Sequence, residues 1–83
     1  MNTLTFDTVS HPKHYQLFEG VEVRHLIQNR LTNAALNGYP MDKIGYDLSN
    51  AIKYLMRWAG KNGVEDLKKA KQCIEFMLEE LGE

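Results

Sequence analysis

The sequence predicts an all-α domain of three helices that follow an irregular N-terminal arm. Apolar residues recur at the spacing of one helix face in three segments, which are 22–36, 46–59 and 64–81. Glycine, asparagine and proline separate the segments at Asn37, Gly38 and Pro40, and again at Gly60, Asn62 and Gly63. Because the second break is short, we expect helices two and three to form an antiparallel hairpin.

Length and composition limit the class of protein. A chain of 83 residues is one small domain, and its net charge of -1 makes it no general binder of polyanions. Cys73 is the one cysteine, so no disulfide forms within the chain, and we expect its thiol to be buried in a reducing, cytoplasmic setting. No apolar run is long enough for a membrane span, and we expect no signal peptide.

The N-terminal segment has two parts. Residues 1–10 lack a pattern, and we expect a flexible arm; residues 11–83 then form the single helical domain. His11-Pro12-Lys13-His14-Tyr15 follows the arm, and its proline favours a stiff, non-helical loop. This loop either packs Tyr15 and His14 against the helices or closes over a ligand. Two histidines alone do not complete a usual metal coordination, so we expect no metal site.

Helices one and two differ in how much their sequences say about function. Helix one has an apolar face and a solvated face, and nothing more. In helix two the predicted core stripe is Leu48, Ile52, Leu55 and Ala59. The opposite face carries a polar column, formed by Asn50, Tyr54, Arg57 and Lys61, with Lys53 at its margin. This column is either a solvated basic face or a site for a phosphate-bearing ligand. We expect the helix to begin near Asp47, which would cap it.

Helix three has a long apolar stripe formed by Leu67, Ala70, Ile74, Met77, Leu78 and Leu81. In a hairpin its first turn lies beside the end of helix two. Arg57 and Lys61 would then meet Lys68 or Lys69 there, next to backbone N–H groups that favour anions. A chain this short is marginal alone, so we expect a homo-oligomer with the end of this stripe partly at the interface.

Five motifs occur together in this order: His11-Pro12-Lys13-His14-Tyr15, residues 19–23, residues 50–57, Lys61-Asn62-Gly63 and residues 65–70. The order resembles the SaV-like phage family, a domain of unknown function. Members of that family are often given the name nucleotide kinase, because the domain is similar to part of the nucleotide kinase of a short-tailed coliphage. The resemblance covers about residues 11–78 and implies an all-helical phage or prophage protein that binds or acts on nucleotides, as an oligomer in the host cytoplasm.

With the resemblance, the candidate nucleotide-binding residues are His11, Lys13, His14, Tyr15, Asn50, Lys53, Tyr54, Arg57 and Lys61. Three readings stay open: a protein that binds a nucleotide without turnover, for instance to sequester a host defence signal; a nucleoside-monophosphate kinase of the dTMP or dGMP type; and a helical protein-interaction module. Whether the chain is an enzyme is left open, no cofactor is expected, and DNA binding ranks lower. We expect Arg57→Ala to weaken nucleotide binding with the fold intact.

Overall fold

The computed structural model describes residues 16–18 and 21–83. The arm 1–10 and the loop 11–15, with the candidate residues His11, Lys13, His14 and Tyr15, lie outside the described residues. Two short strands open the described part, β1 (Gln16–Phe18) and β2 (Val21–Glu22), and they pair antiparallel with Gln16 opposite Glu22. Three helices follow, so the all-α prediction is confirmed, with this small ladder added before the first helix.

Helix α1 (Val23–Leu36) begins directly after β2 and ends at the predicted stop. The backbone N–H of Asn37 donates to the carbonyls of Asn33 and Ala34, each over 3.1 Å, and closes the last turn. Gly38 follows with a φ of +89°, a left-handed conformation that glycine adopts without steric cost.

Helix α2 (Met41–Arg57) begins five residues before the predicted start at 46, so that boundary was wrong. Pro40 precedes the helix, and its carbonyl accepts the first bonds, from the N–H groups of Lys43 and Ile44 at 3.0 Å each. Asp47 therefore lies inside the helix and caps nothing. Gly45 lies between the two segments predicted as helices one and two, but it is a buried helical residue in the contact between α1 and α2. A Cβ at this position would lie 3.8 Å from Leu31 Cδ2.

The link between α2 and the last helix keeps the backbone right-handed for one more turn, a 3-10 turn at Trp58–Gly60. Of the two glycines in this break, Gly63 is the one with a positive φ, +58°, which glycine adopts without steric cost. The Gly63 N–H donates to the Trp58 carbonyl over 2.7 Å, which fixes the turn. Helix α3 (Val64–Glu80) starts at the next residue and packs along α2, so the predicted hairpin is confirmed.

The core is made mostly of small side chains. The buried apolar residues are Val23, Ile44, Ala51, Ala70 and Cys73. Ala51 lies on α2, and Ala70 and Cys73 lie on α3. Cys73 is buried as predicted, and burial raises the pKa of its thiol, with Asp47 adding to the effect and Lys53 opposing it.

The predicted core stripe of α2 is only partly correct. Leu48 and Ile52 are half-buried, but Ala59 is exposed and Leu55 is 42% exposed. Ala51, which the stripe omitted, is buried. The stripe is centred about 70° around the helix from Ala51, because each residue advances about 100°. Within residues 16–18 and 21–83, no helix is long and apolar enough to cross a membrane.

Candidate ligand site on the second and third helices

The ring of Tyr54 gathers three cations from two helices. The Lys53 ammonium lies 5.2 Å from the ring centroid, the Arg57 guanidinium carbon 5.1 Å and the Lys69 ammonium 5.8 Å. All three are within the range of cation–π attraction, in which the ring's electron-rich face attracts positive charge. These four residues, Tyr54, Lys53, Arg57 and Lys69, are called the Tyr54 cluster below.

A buried ion pair holds the Arg57 end of the cluster. The Nε of Arg57 donates to Oδ2 of Asp66 over 3.1 Å, and its Nη2 donates to Oδ1 over 3.4 Å. The Asp66 side chain is 0% exposed and the Arg57 side chain 10% exposed. Asn62 in the turn adds a third bond, from its Nδ2 to Oδ1 of Asp66 over 3.2 Å. The pair therefore joins the last residue of α2 to the first turn of α3.

The environment of Asp66 favours its ionised form. Burial alone would raise the pKa of this carboxyl. Hydrogen bonds from Arg57 and Asn62, together with the positive charges of Arg57 and Lys69, outweigh burial, and the net pKa lies below its ordinary value. Asp66 is thus a carboxylate at neutral pH and balances the charge of Arg57.

The two lysines of the Tyr54 cluster are not balanced in this way. Among the residues that the structure describes, neither Lys53 nor Lys69 has a carboxylate within ion-pair distance. Lys53 is half-buried and Lys69 is exposed, so both ammonium groups can be reached from solvent. With Arg57 and Asp66 cancelling, the cluster carries two excess positive charges beside one aromatic ring. An anion with an attached flat ring matches this arrangement chemically.

The structure brings some of the predicted site residues together. Lys53, Tyr54 and Arg57 share the cluster, and Asn50 is half-buried on the same helix, one turn before Tyr54. Lys61 lies in the turn and is exposed. No group of three or more His, Cys, Asp or Glu in the described ranges is arranged to hold a metal ion.

Arg57 has a different position from the one that the polar column implied. We expected Arg57→Ala to leave the fold intact, but this side chain holds a fully buried carboxylate. Its removal would leave that charge without its strongest partner, so the substitution should destabilise the fold.

Sequence reasoning left two parts of the site undetermined. It did not predict the ion pair made by Asp66, which lies in the first turn of α3. It also left Lys68 and Lys69 as alternatives, of which Lys69 is the one at the ring. The signal for Asp66 was its register, because Asp66, Ala70 and Cys73 follow one helix face and all three are buried.

The chain matches the family described as a protein of unknown function, DUF3310, over residues 9–75. The chain belongs to the DUF3310 family. The match includes every candidate site residue and the whole Tyr54 cluster, since these lie between positions 11 and 69.

A curated relative of this DUF3310 chain comes from a phage. It is the Gene 1.7 protein of Enterobacteria phage T3, 38% identical over 66 residues, which cover 75% of this chain and 36% of that protein. The chain therefore spans about a third of the relative's length. No solved structure matches the DUF3310 chain. The resemblance to a phage family of unknown function is confirmed, and the relative supports a phage or prophage origin.

Proposed function

We propose that this protein binds a nucleotide at the Tyr54 cluster, in the cytoplasm of a phage-infected host. The observation that carries the proposal is the pair of lysines, Lys53 and Lys69, beside one ring and without a carboxylate partner among the described residues. Phosphate oxygens accept charge-assisted hydrogen bonds from ammonium groups, and a base stacks on an aromatic side chain. The resemblance to a family whose members are often given the name nucleotide kinase supports the same ligand class.

The roles within the cluster differ. Lys53 and Lys69 bind phosphate oxygens, and Tyr54 offers its ring to the base. Arg57, held by Asp66, positions Tyr54 from 5.1 Å away. Asn50 and Lys61, on either side of the cluster along the chain, extend the proposed site. His11, Lys13, His14 and Tyr15 stay in the proposal on sequence grounds alone.

Binding without turnover is the form of the proposal that the described residues support most directly. Charge and a stacking surface are sufficient for capture, and a protein of this kind would remove a signalling nucleotide from the host by sequestration. Phosphoryl transfer needs positioned donor and acceptor groups as well as positive charge. Turnover by a nucleoside-monophosphate kinase is therefore a second outcome of the same experiment, measured by product formation.

The experiment compares the wild-type protein with Lys53→Gln/Lys69→Gln by calorimetry against dTMP, dGMP and cyclic dinucleotides. Product formation is followed with a phosphate donor present. We expect the wild type to bind at least one of these ligands. The double variant should lose about tenfold or more in affinity, because it removes two charge-assisted contacts of roughly 1.5–3 kcal/mol each, weakened by solvent.

A matched control separates the site from overall charge. Lys43→Gln/Lys68→Gln removes the same two charges from exposed positions on the same two helices, outside the Tyr54 cluster. Its affinity should stay close to that of the wild type. Tyr54→Leu should weaken binding while Tyr54→Phe retains it, because only the former removes the ring. Equal losses in both lysine pairs, or a wild-type protein that binds none of the nucleotides, would contradict the proposal.

A further inference from the structure

The hairpin leaves several large apolar side chains partly exposed. The buried apolar residues of α2 and α3 are Ile44, Ala51, Ala70 and Cys73. Leu55 on α2 is 42% exposed, and Ile74 and Leu78 on α3 are 42% and 44% exposed. A large apolar side chain gains more than alanine from leaving water, so this arrangement leaves much of the available hydrophobic stabilisation unused in one copy of the chain.

These exposed residues lie on one side of the hairpin. Ile74 is four residues after the buried Ala70, and Leu55 is four residues after the buried Ala51. Each exposed residue is therefore turned about 40° in the same sense from a buried residue of its own helix. In two antiparallel right-handed helices, equal turns in the same sense point to the same side. Leu55, Ile74 and Leu78 form what is called the apolar side below.

Helix α1 covers only the start of this region. It packs on α2 at Gly45, where a Cβ would lie 3.8 Å from Leu31 Cδ2. Leu55 lies about 15 Å further along α2, at 1.5 Å of rise per residue, and stays exposed.

The charges of α3 indicate what occupies the apolar side. Beyond its first turn, the helix has bases in its first half, Lys68, Lys69 and Lys71, and acids in its second half, Glu75, Glu79 and Glu80. This order opposes the helix dipole, which favours acids near the start and bases near the end. The pair Lys71 and Glu75 also has the less favourable i,i+4 orientation, and the two form no ion pair within the chain. Interactions within α3 alone therefore do not explain this order of charges.

A second, antiparallel copy of the same helix does explain this order of charges. We propose that two copies of this protein associate through α3 about a twofold axis near Ile74, with Leu55 and Leu78 completing the apolar contact. The basic half of each α3 then lies along the acidic half of the other. Lys71 and Glu75 lie on the same flank of the apolar side, and with the axis at Ile74, Lys71 comes within about 3 Å, measured along the helix, of Glu75 of the second copy.

The test measures the mass of the full chain by light scattering and its dissociation constant by sedimentation at micromolar concentrations. Ile74→Asp should weaken association at least about a hundredfold, because in a symmetric dimer the substitution removes this side chain from the interface in both copies. Phe76→Asp is the matched control. Phe76 is 45% exposed on the same helix but lies about 200° around it from Ile74, so its replacement should leave association unchanged.

Charge exchange tests the register without touching an apolar residue. Lys71→Glu should weaken association about tenfold at low salt, since it places like charges together at both symmetric contacts. The double variant Lys71→Glu/Glu75→Lys should restore it, because the opposite charges meet again. Circular dichroism checks that each variant is folded. A monomeric wild type, an oligomer that Ile74→Asp leaves intact, or a double variant no better than Lys71→Glu would each overturn the proposal. It does not depend on nucleotide binding, and a protein that fails one test can still pass the other.

Discussion

The two sides of the α2–α3 hairpin differ in the environment of their side chains, with a buried ion pair on one side and exposed apolar residues on the other. On the Tyr54 side, charged groups are buried and positioned, with Asp66 fully enclosed and Arg57 paired to it. On the apolar side, Leu55, Ile74 and Leu78 are each more than two-fifths exposed and no charged partner orders them. The ion pair of the Tyr54 side forms within a single chain, while the apolar side leaves large hydrophobic side chains partly exposed.

This difference indicates which interactions stabilise the fold of one chain and which surfaces favour binding to a partner. Removing an ion pair from water is costly unless geometry and further hydrogen bonds compensate, and here Asn62 supplies the further bond. Exposed apolar surface favours association instead, since its burial gains free energy in proportion to area. The Tyr54 side therefore suits a small anionic ligand, and the apolar side suits another copy of the chain.

The largest expected effect comes from breaking the ion pair. Arg57→Ala should lower the free energy of unfolding by roughly 3–5 kcal/mol, because it leaves a buried carboxylate without its main partner. Chemical denaturation measures this loss. Arg30→Ala, on an exposed side chain that donates hydrogen bonds to the neighbouring Asn29, should change stability by roughly 0.5 kcal/mol or less.

The ion pair can also be replaced rather than broken. Arg57→Met/Asp66→Leu should recover much of the lost stability, as apolar replacements of buried pairs often do. If Arg57→Ala is as stable as the wild type, the pair is not what holds the two helices together, and the contrast between the sides fails.

A smaller effect should appear in acid, on the Tyr54 side alone. The pKa of Asp66 is lowered in the folded state from its ordinary value of 3.8. Its negative charge therefore stabilises the fold at pH values above 3.8. That stabilisation is lost as the pH falls below 3.8 through the lower, folded-state pKa. The groups that act on Asp66 by hydrogen bond or charge are Arg57, Asn62 and Lys69. Denaturation of the wild type and Asp66→Asn at several acid pH values measures the difference, and the variant's stability should depend less on pH there.

The smallest effect belongs to Gly45, which lies on neither side. A glycine inside a helix costs roughly 0.5–1 kcal/mol relative to alanine. The added Cβ would meet Met41 Cβ at 3.7 Å and Leu31 Cδ2 at 3.8 Å, which are ordinary contacts. Gly45→Ala should therefore raise the melting temperature by a few degrees without changing nucleotide binding or association. A lower melting temperature would mean that α1 and α2 pack more tightly than these distances indicate.

The sequence predicted the helices better than the contacts between them. Periodicity and break residues were sufficient for α1, α3 and the hairpin, because each depends on local patterns. The start of α2 was missed because Pro40 and Gly45 interrupt a pattern, and only packing against α1 shows that the helix continues through Gly45. For the site, spacing brought Lys53, Tyr54 and Arg57 together, but which face of α2 meets α3 depends on the register of the hairpin.

The same limit explains the error about Arg57. Alternation of apolar and polar residues assigns a guanidinium to solvent, and nothing in helix two alone reveals a buried carboxylate nine residues later. Leu55 and Ala59 were assigned to the core by the same rule. Leu55 lies at the edge of the face that buries Ala51, and Ala59 lies in the 3-10 turn that follows α2.

The single thiol of this chain gives the hairpin a built-in reporter. Cys73 is buried between α2 and α3, and its raised pKa keeps it protonated and unreactive in the closed state. A thiol reagent therefore reacts mainly when the two helices separate, and the labelling rate, divided by the rate of the unfolded chain, gives the population of the open state. A variant that changes the stability of the hairpin shifts that population, so one chemical modification reports local opening without an added probe.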